Sequence, residues 1–143
     1  PQLKHSNIRL EKVISEQSVV VIGDRVRLEQ VLINLLRNAV DAVKTVPDPV
    51  IEIMLSRGET VTLSVRDNGS GIEELDLLFE PFHTTKKDGD GVGLGLAISS
   101  GIVKDHCGRL TARNSDEGGA VFEVQLPAFR ENTLDYDHME VAE

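Results

Sequence analysis

The sequence predicts a two-layer α/β sandwich of the α+β kind, with helices packed on one face of a mixed, largely antiparallel sheet. Three observations predict it. Strand-like runs lie near both ends, two segments repeat apolar residues at three- and four-residue spacing, and strand pairs meet at short glycine-containing turns. The 143 residues have room for one domain, and 40% apolar residues supply a sizeable core.

Ile8, Leu10, Val13 and Ile14 alternate weakly with polar residues, and Val19 to Ile22 is an apolar run stopped by Gly23; both suit short strands. Asp24 reads as an N-cap. From there to about Lys44, Leu28, Val31, Leu32, Leu35, Ala39 and Ala42 mark a long amphipathic helix, which Pro47 and Pro49 stop. Val50 to Arg57 and Thr60 to Arg66 read as a hairpin joined at Gly58-Glu59. Between Asp67 and Gly95 periodicity fails, and Gly, Asp, Lys and Thr accumulate over a span too long for an ordinary connection; such loops tend to be functional or mobile. Helical spacing resumes from Leu94 to His106, with Gly108 as the C′ residue. Leu110 to Arg113 and Ala120 to Leu126 finish as strands around Gly118-Gly119, with Pro127 as the stop. Residues 1–130 are expected to form the domain, and residues 131–143 an acidic extension that is poorly ordered or packs weakly.

Lys and Arg number 15 against 24 Asp and Glu, a net charge of -9, which speaks against nucleic acid or an anionic membrane surface as partner. With 3% aromatics and no Trp there is no stacking platform for single strands. The lone Cys107 cannot form an internal disulfide, which fits a reducing, cytoplasmic compartment, and no apolar run is long enough for a membrane span. The chain opens at Pro1 rather than Met and reads as a piece of a longer polypeptide.

Three constellations can carry chemistry. On the long helix Asn34, Asn38 and Asp41 project from one stripe, which Gln30 extends backward. A solvated face is one reading, although charged residues would serve it at better helical propensity than Asn. The other is a site for a hard cation such as Mg²⁺, which takes few protein ligands and accepts amide oxygens. Next, Asp67-Asn68-Gly69-Ser70-Gly71-Ile72 follows a strand. It is turn chemistry, yet a carboxylate at a strand end can accept from an exocyclic amine while glycine backbone lies against a planar ring, a preference for adenine over guanine.

Last, Gly89-Asp90-Gly91-Val92-Gly93-Leu94-Gly95 leads into the second helix. It is a flexible linker or a phosphate cradle, in which converging N–H groups and a helix N-terminus face an anion. Its spacing matches neither the Rossmann nor the Walker pattern. Upstream, Phe79-Glu80-Pro81-Phe82-His83-Thr84-Thr85-Lys86-Lys87 joins an aromatic anchor to hydroxyls and ammonium groups, either a basic surface loop or a lid able to clamp phosphate.

Taken together, Asn34-Leu-Leu-Arg-Asn38-Ala, Asp67-Asn-Gly-Ser-Gly71, Phe79-Glu-Pro-Phe82, Gly91-Val-Gly-Leu-Gly95-Leu-Ala and Gly118-Gly-Ala-Val-Phe122 resemble, in order, the N, G1, F, G2 and G3 boxes of the catalytic ATP-binding domain of sensor histidine kinases. That is the GHKL superfamily, and the resemblance covers roughly residues 8 to 127. The subgroup most similar is the nitrogen-regulatory and C4-dicarboxylate sensor kinases. The resemblance implies a GHKL-type ATP-binding fold, ATP and Mg²⁺ as ligands, and a transferase of two-component signalling.

By resemblance, Asn34 and Asn38 would be catalytic, with Asn38 the Mg²⁺ ligand and Asn34 supporting the phosphate and metal side. Asp67 would meet the adenine amine and Gly71 would let the ring approach the backbone, with Gly69, Ile72 and Asp41 also nucleotide-binding. Gly91, Gly93 and Gly95 would form the phosphate-facing loop, with Val92, Leu94 and Leu96 also nucleotide-binding, and Thr84, Thr85 and Lys86 would belong to a mobile lid. Two departures stand out. The hydrolytic relatives carry a water-activating Glu where this chain has Asn34, which cannot act as a base, so rapid ATP hydrolysis is not expected. The G3 box has Ala120 where Ser or Thr is usual.

A sensor kinase transfers the γ-phosphoryl group to a His, followed by Glu or Asp, on a helical dimerisation domain. His5, His83, His106 and His138 do not fit, and His83 and His106 read as local structure; Cys107 reads as a small apolar filler. The implied partners are therefore ATP and ADP, a His-bearing dimerisation domain of the same parent, and a downstream response regulator. The resemblance places the domain in the cytoplasm, without direct membrane contact. The alternatives are a free-standing anti-sigma-type serine kinase, disfavoured by Asn34, and a non-catalytic nucleotide-dependent interaction module.

Overall fold

The computed structural model describes residues 7–15, 18–81 and 95–129. Among the described residues, five strands and two α-helices follow in the order β1 (Arg9–Ile14), α1 (Arg25–Ala42), β2 (Val50–Arg57), β3 (Thr60–Asp67), α2 (Gly95–Asp105), β4 (Arg109–Asn114) and β5 (Ala120–Pro127). The strands form one sheet in the order β1-β2-β3-β5-β4. β1 runs parallel to β2 and every other neighbour is antiparallel, so the sheet is mixed and largely antiparallel, as the sequence predicts.

α1 and α2 pack against each other on one face, α1 over β3 and α2 over β4. The core lies between the layers. α1 contributes Val31, Leu35 and Ala39, and α2 contributes Ile102 and Val103. Period-two alternation brings Val65, Phe122, Val124 and Leu126 to meet them.

The same alternation decides where the acid goes. Val61, Leu63, Val65 and Asp67 occupy every second position of β3, so the carboxylate points to the helix side of the sheet at its very end. Asp67 and Ser99 are the only buried polar residues among the described residues.

The N-cap is as expected: Asp24 Oδ1 accepts from the N–H groups of Val26 at 3.1 Å and Arg27 at 3.3 Å. His106 is local structure. Its Nε2 accepts the Asp24 N–H at 2.9 Å, which leaves Nδ1 to donate to Ile102 O at 2.8 Å, and Arg27 pairs with Asp105 at 2.6 Å beside it. The end of α2 is thereby fastened to the start of α1.

Four local expectations are corrected. Val19 to Ile22 is not a strand, because β1 already occupies the sheet edge beside β2. Val21 packs on the core, Val20 and Ile22 are exposed, and Val20 O accepts from Phe129 N–H at 2.8 Å. α1 ends at Ala42, ahead of the two prolines, where the buried Val43 turns its N–H to Ala39 O and Val40 O. The C′ residue of α2 is Cys107, at φ 63, rather than Gly108. Gly108 N–H reaches Val103 O and Cys107 N–H reaches Lys104 O, both at 2.9 Å, a Schellman closure. Glycine is needed one position later because a Cβ on Gly108 would run into Gln125 O of β5. Cys107 is accordingly exposed and not a core filler. Within the aperiodic stretch, Leu75–Leu77 form one 3₁₀ turn, and Phe79 anchors on the core as anticipated.

Candidate nucleotide site

α1 links two other elements of the site along one line. At its middle, Asn34 Nδ2 donates to Ser99 Oγ at 2.9 Å and to Gly95 O at 3.3 Å, while Asn34 Oδ1 accepts from Gln30 Nε2 at 3.0 Å. Both amide hydrogens of Asn34 are thus directed at α2, and the stripe from Gln30 holds the amide in that orientation. Two turns later, Ala42 lies against Gly69: a Cβ on that glycine would collide with Ala42 O. Eight residues of helix separate the contacts, roughly 12 Å of rise. Asn38 lies midway on the same stripe, half-buried, and its amide has no hydrogen-bond partner among the described residues. Asp41, at the far end, pairs with Lys44 at 3.2 Å.

Asp67 fixes the other side. Its Oδ1 accepts from Gly69 N–H at 2.8 Å, an Asx turn, and from Ala120 N–H at 3.4 Å on β5. Oδ2 has no hydrogen-bond partner among the described residues. Burial pushes the carboxyl above its ordinary 3.8, and the donations from Gly69 and Ala120 offset part of that rise. The neighbouring Asn68 works for the fold: its Oδ1 accepts from Val50 N–H at 2.9 Å and its Nδ2 donates to Asp48 O at 2.8 Å.

Gly71 is at φ 88, a conformation natural to glycine alone, and Ile72 packs on the core beyond it. Ile72 is held by a residue the sequence reading missed: Asn114, at the end of β4. Its only advance signal is an Asn at a strand end ahead of a glycine turn.

Of the nucleotide set, Asn34, Gly95 and Leu96 are brought together where the helices meet, and Asp67, Gly69, Gly71 and Ile72 form one turn against the end of α1. Thr84, Thr85, Lys86, Gly91, Val92, Gly93 and Leu94 lie outside the described residues, as do His5, His83, His138 and the 130–143 segment. A hollow of about 190 Å³ between α1 and the sheet has only apolar walls, among them Val21, Leu28, Leu55 and Leu126, and no residue of the set lines it.

The donor chemistry fits a magnesium ion better than a softer metal. No group of three or more His, Cys, Asp or Glu able to hold a metal exists among the described residues, whereas the neutral amide oxygen of Asn38 suits a hard cation that retains most of its waters. No described helix is long and apolar enough to cross a membrane.

Residues 23–130 match the family model described as histidine kinase-, DNA gyrase B-, and HSP90-like ATPase. The two-component sensor PprA of Pseudomonas aeruginosa is 44% identical over 133 residues, covering 87% of this chain and 14% of that protein. The C4-dicarboxylate transport sensor protein DctB of Rhizobium meliloti is 42% identical over 122 residues, covering 83% of this chain and 19% of that protein. The chain therefore spans a small part of these relatives. Among solved structures, the nucleotide-free catalytic domain of histidine kinase ThkA superposes with a TM-score of 0.75 at 33% identity, over 88% of this chain and 82% of that one.

Proposed function

This chain belongs to the histidine kinase-, DNA gyrase B-, and HSP90-like ATPase family, and from that premise we propose that it is the catalytic domain of a sensor histidine kinase, binding Mg-ATP and passing the γ-phosphoryl group to a His on a separate dimerisation domain of the same parent. The observation that carries the reading is Asp67: a buried carboxylate at a strand end, with one oxygen committed to backbone donors and the other without a partner among the described residues.

In this reading Asp67 takes the adenine amino group, with Gly71 backbone beside the ring and Gly69, Ile72 and Asp41 completing that end. Asn38 holds Mg²⁺, which supplies neutralisation of the phosphate charge. Asn34 is a positioning residue: with its amide hydrogens on Ser99 and Gly95, it sets the start of α2 against the Asn38 stripe. Gly91, Val92, Gly93, Leu94 and Leu96 serve the phosphates, and Thr84, Thr85 and Lys86 act as a lid.

Phosphoryl transfer asks mainly for positioning and charge stabilisation, and Asn34 offers no base for activating water. Transfer is thereby favoured over rapid hydrolysis. ADP is the product, a response regulator receives the phosphoryl group downstream, and residues 1–130 are the catalytic unit, with 131–143 an extension. The domain works in the cytoplasm without touching a membrane.

Calorimetric titration with ATP and Mg²⁺ tests binding, and the absence of heat from the folded chain rejects it. Mixing the chain with γ-labelled ATP and a His-bearing helical domain tests transfer. Label is expected on the added domain's His; acid-labile label on this chain alone contradicts the assignment.

A further inference from the structure

The hairpin between β4 and β5 grips the Asp67 turn at several points. Asn114 uses its whole carboxamide on one residue: Oδ1 accepts the Ile72 N–H at 2.7 Å, and Nδ2 donates to Ile72 O at 3.0 Å. An amide that pairs both ways with a backbone residue substitutes for a strand rung where the sheet has ended. Five residues on, Gly119 lies so close to Asp67 O that a Cβ there would overlap it, and Ala120 N–H reaches Asp67 Oδ1. Arg66 of β3 pairs with Glu117 at 2.7 Å across the same gap.

The hairpin loop is itself closed, by Ser115 N–H to Gly119 O at 2.9 Å, Gly118 N–H to Ser115 O at 3.0 Å and Glu117 N–H to Ser115 Oγ at 3.2 Å. A closed loop is a firm base from which to hold a turn. At the turn, Asn114 fills the side of Gly71 where a side chain would start: a Cβ there would lie 2.9 Å from Oδ1.

We propose that Asn114 is a positioning residue for base recognition: by fixing Ile72 and hence the Gly71 backbone relative to Asp67, it sets the preference for an adenine ring over a purine with oxygen in place of the amine. This rests on the assignment of Asp67 to the adenine amine. Asn114 acts through the turn and touches no nucleotide atom. Loosening it blurs the edge that reads the base while leaving phosphate and metal contacts intact.

The test compares ATP with inosine triphosphate, which replaces the amino group by an oxygen acceptor, each titrated with Mg²⁺ into the full chain. Wild type is expected to prefer ATP by about tenfold or more, since an acceptor facing Asp67 leaves a buried polar group unsatisfied. Asn114→Ala is expected to cut that preference severalfold, while inosine triphosphate affinity stays within about twofold. These sizes correspond to one or two lost hydrogen bonds of orientation.

Asn114→Asp, which keeps the acceptor for Ile72 N–H and loses the donor, is expected to fall between; its added charge weakens both nucleotides alike and cancels in the ratio. If Asn114→Ala does not fold, the Asp variant alone decides. An unchanged ATP preference in a folded variant, with only a lower melting temperature, overturns the proposal and makes Asn114 merely structural. Equal affinity of wild type for the two nucleotides overturns the Asp67 assignment itself, and this proposal with it.

Discussion

Asn34 and Ser99, 65 positions apart in the chain, are joined by a 2.9 Å hydrogen bond from Asn34 Nδ2 to the fully buried Ser99 Oγ. The bond ties the middle of α1 to the second turn of α2, and the second Asn34 amide hydrogen reaches Gly95 O at its start. An asparagine positioned for a ligand by sequence spacing is therefore first a clasp between helices. Under the proposed function, its effect on nucleotide chemistry runs through the placement of α2.

Asn34→Ala should lower the stability of the chain by about 1–3 kcal/mol, because it strands a buried hydroxyl. Ser99→Ala should cost less, since the alanine leaves no buried polar atom behind and Asn34 retains Gly95 O. Chemical denaturation of both variants checks the order, and equal or reversed losses would show that the clasp does not hold the helices.

Asp67→Asn should preserve the fold and weaken ATP by about 10–100-fold. The amide can keep its oxygen toward Gly69 and Ala120, which turns its NH₂ toward the ligand amine, donor against donor. Titration calorimetry on the two proteins measures the difference.

The raised Asp67 value gives binding and stability opposite dependences on pH. The folded state holds this proton more tightly than the unfolded chain, so the stabilisation from a neutral Asp67 is fully present below 3.8 and is lost as pH rises through the folded value. ATP affinity runs the other way, falling as pH drops through that value because the ligand-facing acceptor gains a proton. Both slopes should be absent in Asp67→Asn, as comparison of denaturation and ATP titrations from pH 4 upward would show.

Gly118 and Gly119 should respond differently to alanine although both have positive φ, 98 and 88. Nothing lies within 4 Å of a Cβ on Gly118, so that substitution bears only the backbone penalty, about 1–2 kcal/mol. At Gly119 the Cβ also overlaps Asp67 O, which forces the turn to move. The Gly119 variant should lose at least about 1 kcal/mol more and should also lose ATP affinity, whereas Gly118→Ala should bind normally. Melting curves with and without nucleotide separate the two.

What sequence could supply was periodicity and local chemistry. Alternation through Val61, Leu63 and Val65 carries Asp67 to the helix side of the sheet, and four-residue spacing aligns Asn34 with Asn38. Both are consequences of one element's geometry and needed no tertiary knowledge. The partners of those residues were not legible, since Ser99 is separated from Asn34 by a sheet crossover and Asn114 carries no periodic signature.

Val19 to Ile22 departs from the expected strand because its apolar residues divide: Val19 and Val21 line the hollow beside Leu28 and Val31 of α1, while Val20 and Ile22 are exposed, and such packing needs no ladder. Cys107 was misread for a related reason: size and apolarity suggested the core, but the helix closure required a left-handed residue there while β5 required glycine next door.

Diffraction from co-crystals of this chain with Mg²⁺ and a non-hydrolysable ATP analogue tests the central claim most directly. The expected result is the adenine amino group on the free oxygen of Asp67, the metal on the amide oxygen of Asn38, and Asn34 still on Ser99. Nucleotide bound elsewhere, or metal held without Asn38, would contradict it.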